Sequence, residues 1–294
     1  MFLRRHPYLF FLLILAGLAT VSIVSLSVVV MTVAGVEAED DGDKVGVIEI
    51  VGAIVDSQTI IDDLKAFREN ESIKAIVVRV DSPGGGVGPS QEIYREIRKT
   101  VAEKKVIISM GSVAASGGYY VAAAGDGIIA NPGTITGSIG VIMGYTNFET
   151  LMQKIGLTPV VIKSGEYKDL GSPARPMTAK EKSLLEGVTH TIHRQFIEDI
   201  AVGRSMAPAK VEAIADGRIF TGEDAQKMGL VDRLGNFQDA VQWAGELGGI
   251  EGDVETLYPE KERPSILEYI MESALRLWDK GGLRSRLVPQ AMLR

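Results

Sequence analysis

From Lys44 onward, β-rich apolar segments alternate with amphipathic helical ones, and this alternation narrows the fold more than any other feature of the chain. Residues 45–51 read as a first strand and 59–68 as a short helix. Residues 73–80 form a second strand ending at Asp81, and 89–104 an amphipathic helix with Ile93, Tyr94, Ile97 and Val101 on one face. Residues 106–110 are another apolar strand, broken by Gly111, and a short Ala-rich helix runs from Ser116 to Ala124. Strand-like pieces follow at 127–130, 138–143 and 159–163. A long helix at 178–202 is expected to bury Leu184, Leu185, Val188, Ile192 and Phe196. A helix at 222–228, a strand at 230–234 and a helix at 237–247 complete the pattern. Strands alternating with helices imply an α/β core with parallel strand pairs.

Ahead of this core, residues 8–36 carry no charge. A bilayer-spanning helix needs about 20 residues, so the run suffices. Arg4 and Arg5 precede it, while Glu37, Glu39, Asp40, Asp41 and Asp43 follow. The positive-inside rule then puts the N-terminus in the cytoplasm and the remainder outside. The rival is a cleaved signal peptide with a small-x-small site at Val36-Glu37-Ala38, but signal h-regions run only about 7–15 residues. The expected organisation is a cytoplasmic tip and transmembrane anchor (1–36), an acidic linker (37–44), a catalytic domain (45–257) and a C-terminal amphipathic helix and tail (258–294). That last helix, at 266–278, reads as a packing or oligomer element, or as one returning to the membrane surface.

A chain of 294 residues, 46% apolar, is long enough for one large domain plus appendages. It has no cysteine, which excludes disulfides and thiolate chemistry. A net charge of −7 without a basic stripe argues against a nucleic-acid partner. His190 and His193 lie three apart on the long helix, but no carboxylate completes a metal signature. His193 should border the buried stripe and His190 face outward. No motif implies a cofactor.

Two glycine-rich turns join a strand to a helix. The first, Asp81-Ser-Pro-Gly-Gly-Gly86, lets backbone approach a substrate closely and offers N–H groups that could hold an oxyanion. It fails the phosphate-loop pattern, because no Gly-Lys-Ser/Thr follows. The second, Gly111-Ser-Val-Ala-Ala-Ser-Gly-Gly-Tyr-Tyr120, puts Ser116 at a helix start. That place suits an N-cap, and it equally suits a nucleophile whose developing charge faces the helix N-terminus. Ser112 is its rival, four residues earlier. A serine hydroxyl needs a base, and no histidine lies near one of this kind. Lys168, in a glycine-flanked loop closed by Arg175-Pro176, can serve if burial lowers its proton affinity. Ser138, in Thr136-Gly-Ser-Ile-Gly140, offers a hydroxyl to hold the ammonium.

Together these segments resemble the signal peptide peptidase A family in its short bacterial form. The match is carried by the two turns above, by Thr134-Ile-Thr-Gly-Ser-Ile-Gly-Val-Ile142, and by Gly217-Arg-Ile-Phe-Thr-Gly-Glu-Asp-Ala-Gln-Lys-Met-Gly-Leu-Val-Asp232. The resemblance implies a Clp protease/crotonase-like fold of repeated ββα units. It implies Ser116 as nucleophile, Lys168 as general base and Ser138 as the residue orienting the lysine. Gly85 and Gly117 would form the oxyanion hole, with Gly84 as alternative to Gly85. It further implies a homo-oligomeric ring or dome in the bacterial inner membrane that cuts signal peptides and other hydrophobic peptides. Small apolar pockets lined by Val87, Val113 and Ile139 are expected beside Ser116. A crotonase-type acyl-CoA enzyme and a non-catalytic membrane scaffold on the same fold are the alternatives.

Overall fold

The computed structural model describes residues 7–33 and 42–259. The chain divides into two compact units, Met1–Gly42 and Asp43–Arg294. The first contains α1 (Pro7–Val33), a helix of 27 residues with no charged side chain. Among the described residues no helix is long and apolar enough to cross a membrane. The small-x-small site at Val36 and the amphipathic segment at 266–278 lie outside the described residues.

The second unit runs β1 (Lys44–Val51), α2 (Gln58–Glu69), β2 (Ile73–Ser82), α3 (Val87–Thr100), β3 (Lys105–Ala115), α4 (Gly117–Ala122), β4 (Gly127–Ala130), β5 (Ile135–Gly137), α5 (Glu149–Lys154), α6 (Ala179–Gly203), α7 (Pro208–Glu212), β6 (Ile219–Thr221), α8 (Gly222–Met228), β7 (Arg233–Leu234), α9 (Phe237–Gly248) and β8 (Glu255–Leu257). The strands form one mixed sheet in the order β6-β5-β3-β2-β1-β8, with β4 joining β3 to β7. Every pairing is parallel except that of β5 with β6.

Side chains alternate across a strand, and here both faces are apolar, as parallel strands covered on two sides require. On one face Val45, Val47, Ala75, Val77 and Ile107 pack under Ala240, Val241 and Ala244 of α9. On the other Ile48, Ile76, Val78 and Ile108 meet Leu64 and Phe67 of α2 and Ile93 and Ile97 of α3. Burying each of the Val, Leu, Ile and Phe side chains stabilises the fold by about 1.5–3 kcal/mol. Gly46 allows α2 to approach the sheet, since a Cβ there would lie 2.4 Å from the Phe67 ring.

The central strand β3 does two jobs. Its first half pairs with β4 at Ile107–Ser109 and its last residues pair with β5 at Val113–Ala115. Between them the register with β2 shifts, so that Val80 faces Met110 but Ser82 faces Ala114. Side chains from the family motifs hold this irregular stretch. Asp81 accepts from Val113 N at 3.0 Å, and the Thr134 and Thr136 hydroxyls donate to the carbonyls of Gly111 and Ala114 at 2.8 and 2.6 Å.

Three expectations need correction. The strands expected at 138–143 and 159–163 do not form: the ladder is Ile135–Gly137, and residues 157–163 are unpaired and exposed. Among the described residues their apolar side chains meet no sheet edge or core, with Ile142 96%, Val160 83% and Ile162 97% exposed. The buried face of α6 is also displaced towards its C-terminal half. Phe196, Ile197, Ile200 and Ala201 are buried, whereas Leu184 and Val188 are exposed, because only the second half of the helix meets the core. A short strand not foreseen, β8, extends the sheet beside β1.

Candidate active site

β2 and β3 are neighbouring parallel strands, so the turns leaving their C-terminal ends lie side by side. Crevices at such ends are where open α/β sheets place their chemistry. In the first turn Gly84 has φ +100°, and its N–H donates to the buried Ser82 hydroxyl at 3.1 Å. Ile54 N donates to Gly84 O at 2.9 Å and Gly86 N donates to Ile54 O at 2.7 Å, an isolated parallel bridge. The residue at the centre of that bridge, Gly85, directs its own N–H to the opposite side. No side chain fits there: a Cβ on Gly85 would sit 2.1 Å from Ile54 O.

In the second turn Ser116 adopts φ 53° and ψ −120°. L-residues rarely occupy this region, and the strain costs about 1–3 kcal/mol. The conformation is held by Ser116 N donating to Gly137 O at 2.8 Å and by Tyr120 N donating to Ser116 O at 2.9 Å. Gly117 follows as the first residue of α4. A Cβ on Gly117 would lie 3.1 Å from Gly85 N and 2.5 Å from the Ser90 hydroxyl, so the two turns are in close contact.

Ser138 is the second strained serine, with φ 52°, and its N–H donates to Arg218 O at 2.8 Å. Ser116, Gly117, Gly85 and Ser138 line one cavity of about 390 Å³, together with Val87, Ser90, Tyr120, Ile142, Ile192 and Phe196. Of the expected pocket residues, Val87 is present. Ile139 is fully buried in the core and Val113 is not among the lining residues. Ser112 is exposed in β3 and does not reach the cavity.

The cavity wall is made rigid from behind. Tyr120 stacks on Phe196 at 4.5 Å and donates to the Asp199 carboxylate, while Tyr94 donates to Asp199 O at 2.7 Å. Burial, with the negative charge of Asp199, pushes Tyr94 up to about 12 and Tyr120 higher still. Both phenols therefore remain protonated donors. Ser90, Tyr120, Ile192 and Phe196 were not foreseen as site residues. Tyr120 was findable, since it sits four residues after Ser116 and one helical turn brings it back to the same side.

Lys168 is not part of this cavity. It is exposed, on a run of turns in which Lys168 N donates to Gly165 O at 3.2 Å. These turns are fastened to the N-terminus of α6 through Arg175 and Glu181. Phe196, at the cavity, lies 15 residues further along the same helix, about 22 Å at 1.5 Å per residue. His190 is exposed, whereas His193 encloses an Nε2 without a hydrogen-bond partner. Among the described residues no group of three His, Asp or Glu side chains could hold a metal ion.

Residues 98–251 match the model of peptidase family S49, and residues 44–133 match that of Clp protease. The chain belongs to peptidase family S49. It is similar to a candidate protease of Synechocystis sp., 47% identical over 212 residues that make up 71% of this chain and 76% of the other. It is also similar to the chloroplastic serine protease SPPA of Arabidopsis thaliana, 36% identical over 75% of this chain and 33% of the plant protein. Protease 4 of Salmonella typhi is 33% identical over 80% of this chain and 39% of its own length. The chain thus spans three quarters of the first relative and between a third and two fifths of the other two. This S49 protein is a serine endopeptidase with a Clp protease-like α/β domain.

Proposed function

We propose that this S49 peptidase is a membrane-anchored endopeptidase that degrades cleaved signal peptides and other hydrophobic peptides through a Ser116–Lys168 dyad. The observation that carries the reading is the strained Ser116 facing a cavity with Gly85 and Gly117 beside it. In the proposed mechanism neutral Lys168 takes the Ser116 proton as Oγ attacks the scissile carbonyl. The oxyanion receives hydrogen bonds from Gly85 N–H and Gly117 N–H, each such donor being worth about 3–4 kcal/mol in the transition state. Gly84 is the weaker choice because its N–H is engaged by Ser82. Collapse breaks the C–N bond, the lysine proton passes to the leaving amine, and water then hydrolyses the acyl-enzyme with Lys168 again as base. Ser138, on the cavity wall, holds the lysine ammonium.

The dyad forms between two copies of the chain. Lys168 is exposed and tied to the far end of α6, so a second copy must bring its lysine to Ser116. Packing between copies supplies the burial that a lysine base requires. The apolar side chains of Ile142, Val160 and Ile162, unsatisfied in one chain, are the natural contacts of such an assembly. Its form is a homo-oligomeric ring or dome.

The run of residues 8–36 is uncharged and longer than the about 20 residues that a bilayer-spanning helix needs. With arginines before it and carboxylates after, it anchors the enzyme in the bacterial inner membrane with the catalytic domain outside the cytoplasm. The apolar walls at Val87, Ile142, Ile192 and Phe196 favour Leu, Ala or Val before the cut and exclude Asp or Lys, whose unpaired burial is costly.

The test is complementation between inactive variants. Ser116→Ala and Lys168→Ala proteins are each expected to be inactive on a fluorogenic apolar peptide. Dissociated and reassembled at 1:1, they should recover roughly one quarter of wild-type activity, as random mixing in a head-to-tail ring requires. Mixed assemblies, verified by mass spectrometry, that stay inactive would sink the intersubunit dyad. Full activity of either single variant would sink the Ser-Lys mechanism itself.

A further inference from the structure

The segment that leads to Lys168 is open to solvent, and the turns after it are only partly covered, with Gly171 lying against the Tyr145 ring. Residues 157–166 are exposed throughout, and the local backbone bonds are short-range: Lys168 N to Gly165 O, Leu170 N to Tyr167 O and Ser172 N to Asp169 O, at 3.0–3.2 Å. A base carried on such a segment needs another source of order. The structure supplies one in charged side chains. The carboxylate of Asp169, the residue next to Lys168, accepts from Lys163 Nζ at 2.5 Å and from Arg175 Nε at 2.9 Å. Arg175 then forks onto Glu181, with its two terminal nitrogens 2.9 and 2.5 Å from the two carboxylate oxygens.

Glu181 is itself fixed. It is only 3% exposed and closes the capping box of α6, accepting from Thr178 N at 2.8 Å while its own N–H donates to the Thr178 hydroxyl at 3.2 Å. The planar guanidinium therefore joins the carboxylate beside Lys168 to the rigid start of a 25-residue helix. Isolated surface ion pairs hold little. This one differs in being bidentate, networked and seated on a buried carboxylate. Hydrogen bonds from Arg175 and Lys163 hold Asp169 well below the usual carboxylate range, and those from Arg175 and Thr178 hold Glu181 at about 2.

We propose that Arg175 is a positioning residue for catalysis, setting the place of Lys168 by bridging Asp169 to Glu181. The inference rests on Lys168 being the base. Its force comes from the steepness of catalysis with geometry, since a displacement of about 1 Å can cost 10²-fold in rate. Lysine cannot replace arginine here, because a single ammonium cannot satisfy both carboxylates in the same fork.

The experiment uses the full-length protein in detergent micelles, with a fluorogenic apolar peptide and an active-site fluorophosphonate probe. Arg175→Gln should lower kcat by about 10–100-fold, leave KM within about threefold, and preserve the oligomer. Arg175→Lys should recover only part of the loss. Glu181→Gln, which keeps shape and removes charge, should lower kcat in the same direction and carries the test if Arg175→Gln fails to assemble. In a Lys168→Ala background, adding Arg175→Gln should not slow probe labelling of Ser116 any further. An equal loss in both backgrounds would make the role merely structural and overturn the proposal. So would a rise in KM at constant kcat, or wild-type kcat in both Arg175→Gln and Glu181→Gln while Lys168→Ala is inactive. A fully active Lys168→Ala protein would instead remove the Ser-Lys reading on which the proposal stands.

Discussion

Ser116 is held in a backbone conformation that glycine would adopt without strain. This separates two substitutions that both delete the hydroxyl. Ser116→Ala should lower turnover by about 10⁴–10⁶-fold while changing stability by less than about 0.5 kcal/mol. Ser116→Gly should be equally inactive yet more stable by about 1 kcal/mol, because the strain is relieved. Thermal melts of the two variants beside wild type check the difference, and an alanine variant that gains as much as glycine would show the strain is not there. The same scale explains why Gly85 admits no substitution. A methyl group 2.1 Å from Ile54 O must break the bridge that aims the Gly85 N–H. Gly85→Ala should therefore abolish activity and lower stability, whereas Gly88→Ala, with open space around it, should do neither. Activity assays on the two alanine variants decide it.

At the scale of elements, α6 carries most of the consequences. Its capping box joins Thr178 to Glu181, and Thr178→Ala should cost about 1 kcal/mol, measured by denaturant unfolding. The same cap gives the helix an acid limit. Glu181 is lowered from 4.5 to about 2, by hydrogen bonds from Arg175 first and Thr178 second. A carboxylate with a depressed folded value contributes stability that is fully present above the unfolded value and lost as pH falls through the folded one. The advantage of wild type over Glu181→Gln in melting temperature should thus be full at pH 7, begin to shrink below about pH 4.5, and vanish near pH 2. A difference that persists unchanged at pH 2 would mean the carboxylate charge is not what holds the helix start.

For the whole molecule, the unpaired apolar segment after β5 is the feature that a single chain leaves unresolved. Ile142 and Ile162 are almost fully exposed, and large apolar surface left open to solvent marks an interaction site. If the proposed homo-oligomer is built on this segment, Ile162→Asp should convert it to smaller species and reduce activity most at low protein concentration, since a charge buried at an interface is costly. Light scattering and activity measured across dilution test both parts. An unchanged oligomer with full activity would remove this segment from the interface.

Much was legible in the sequence because local rules and tertiary needs agree there. The strands at β1 to β4 and the helices α2, α3 and α9 follow from periodicity. The two turns at Gly84–Gly86 and Ser116–Gly117 follow from residues that tolerate backbone geometry few others can. What periodicity could not decide was partnership. Residues 138–143 and 159–163 have strand-like composition, yet a strand exists only where an edge is free to pair with it, and among the described residues none pairs with them. The apolar stripe of α6 likewise reads as buried along its whole length. Only packing determines that Phe196 meets the core while Leu184 and Val188 face outward. Lys168 is the sharpest case: its residue type and its glycine-rich setting were readable. Its place outside the Ser116 cavity, on turns fastened to the start of α6, was not, because the fastening runs through Arg175 bonding Glu181 across a loop, a contact that sequence spacing does not encode.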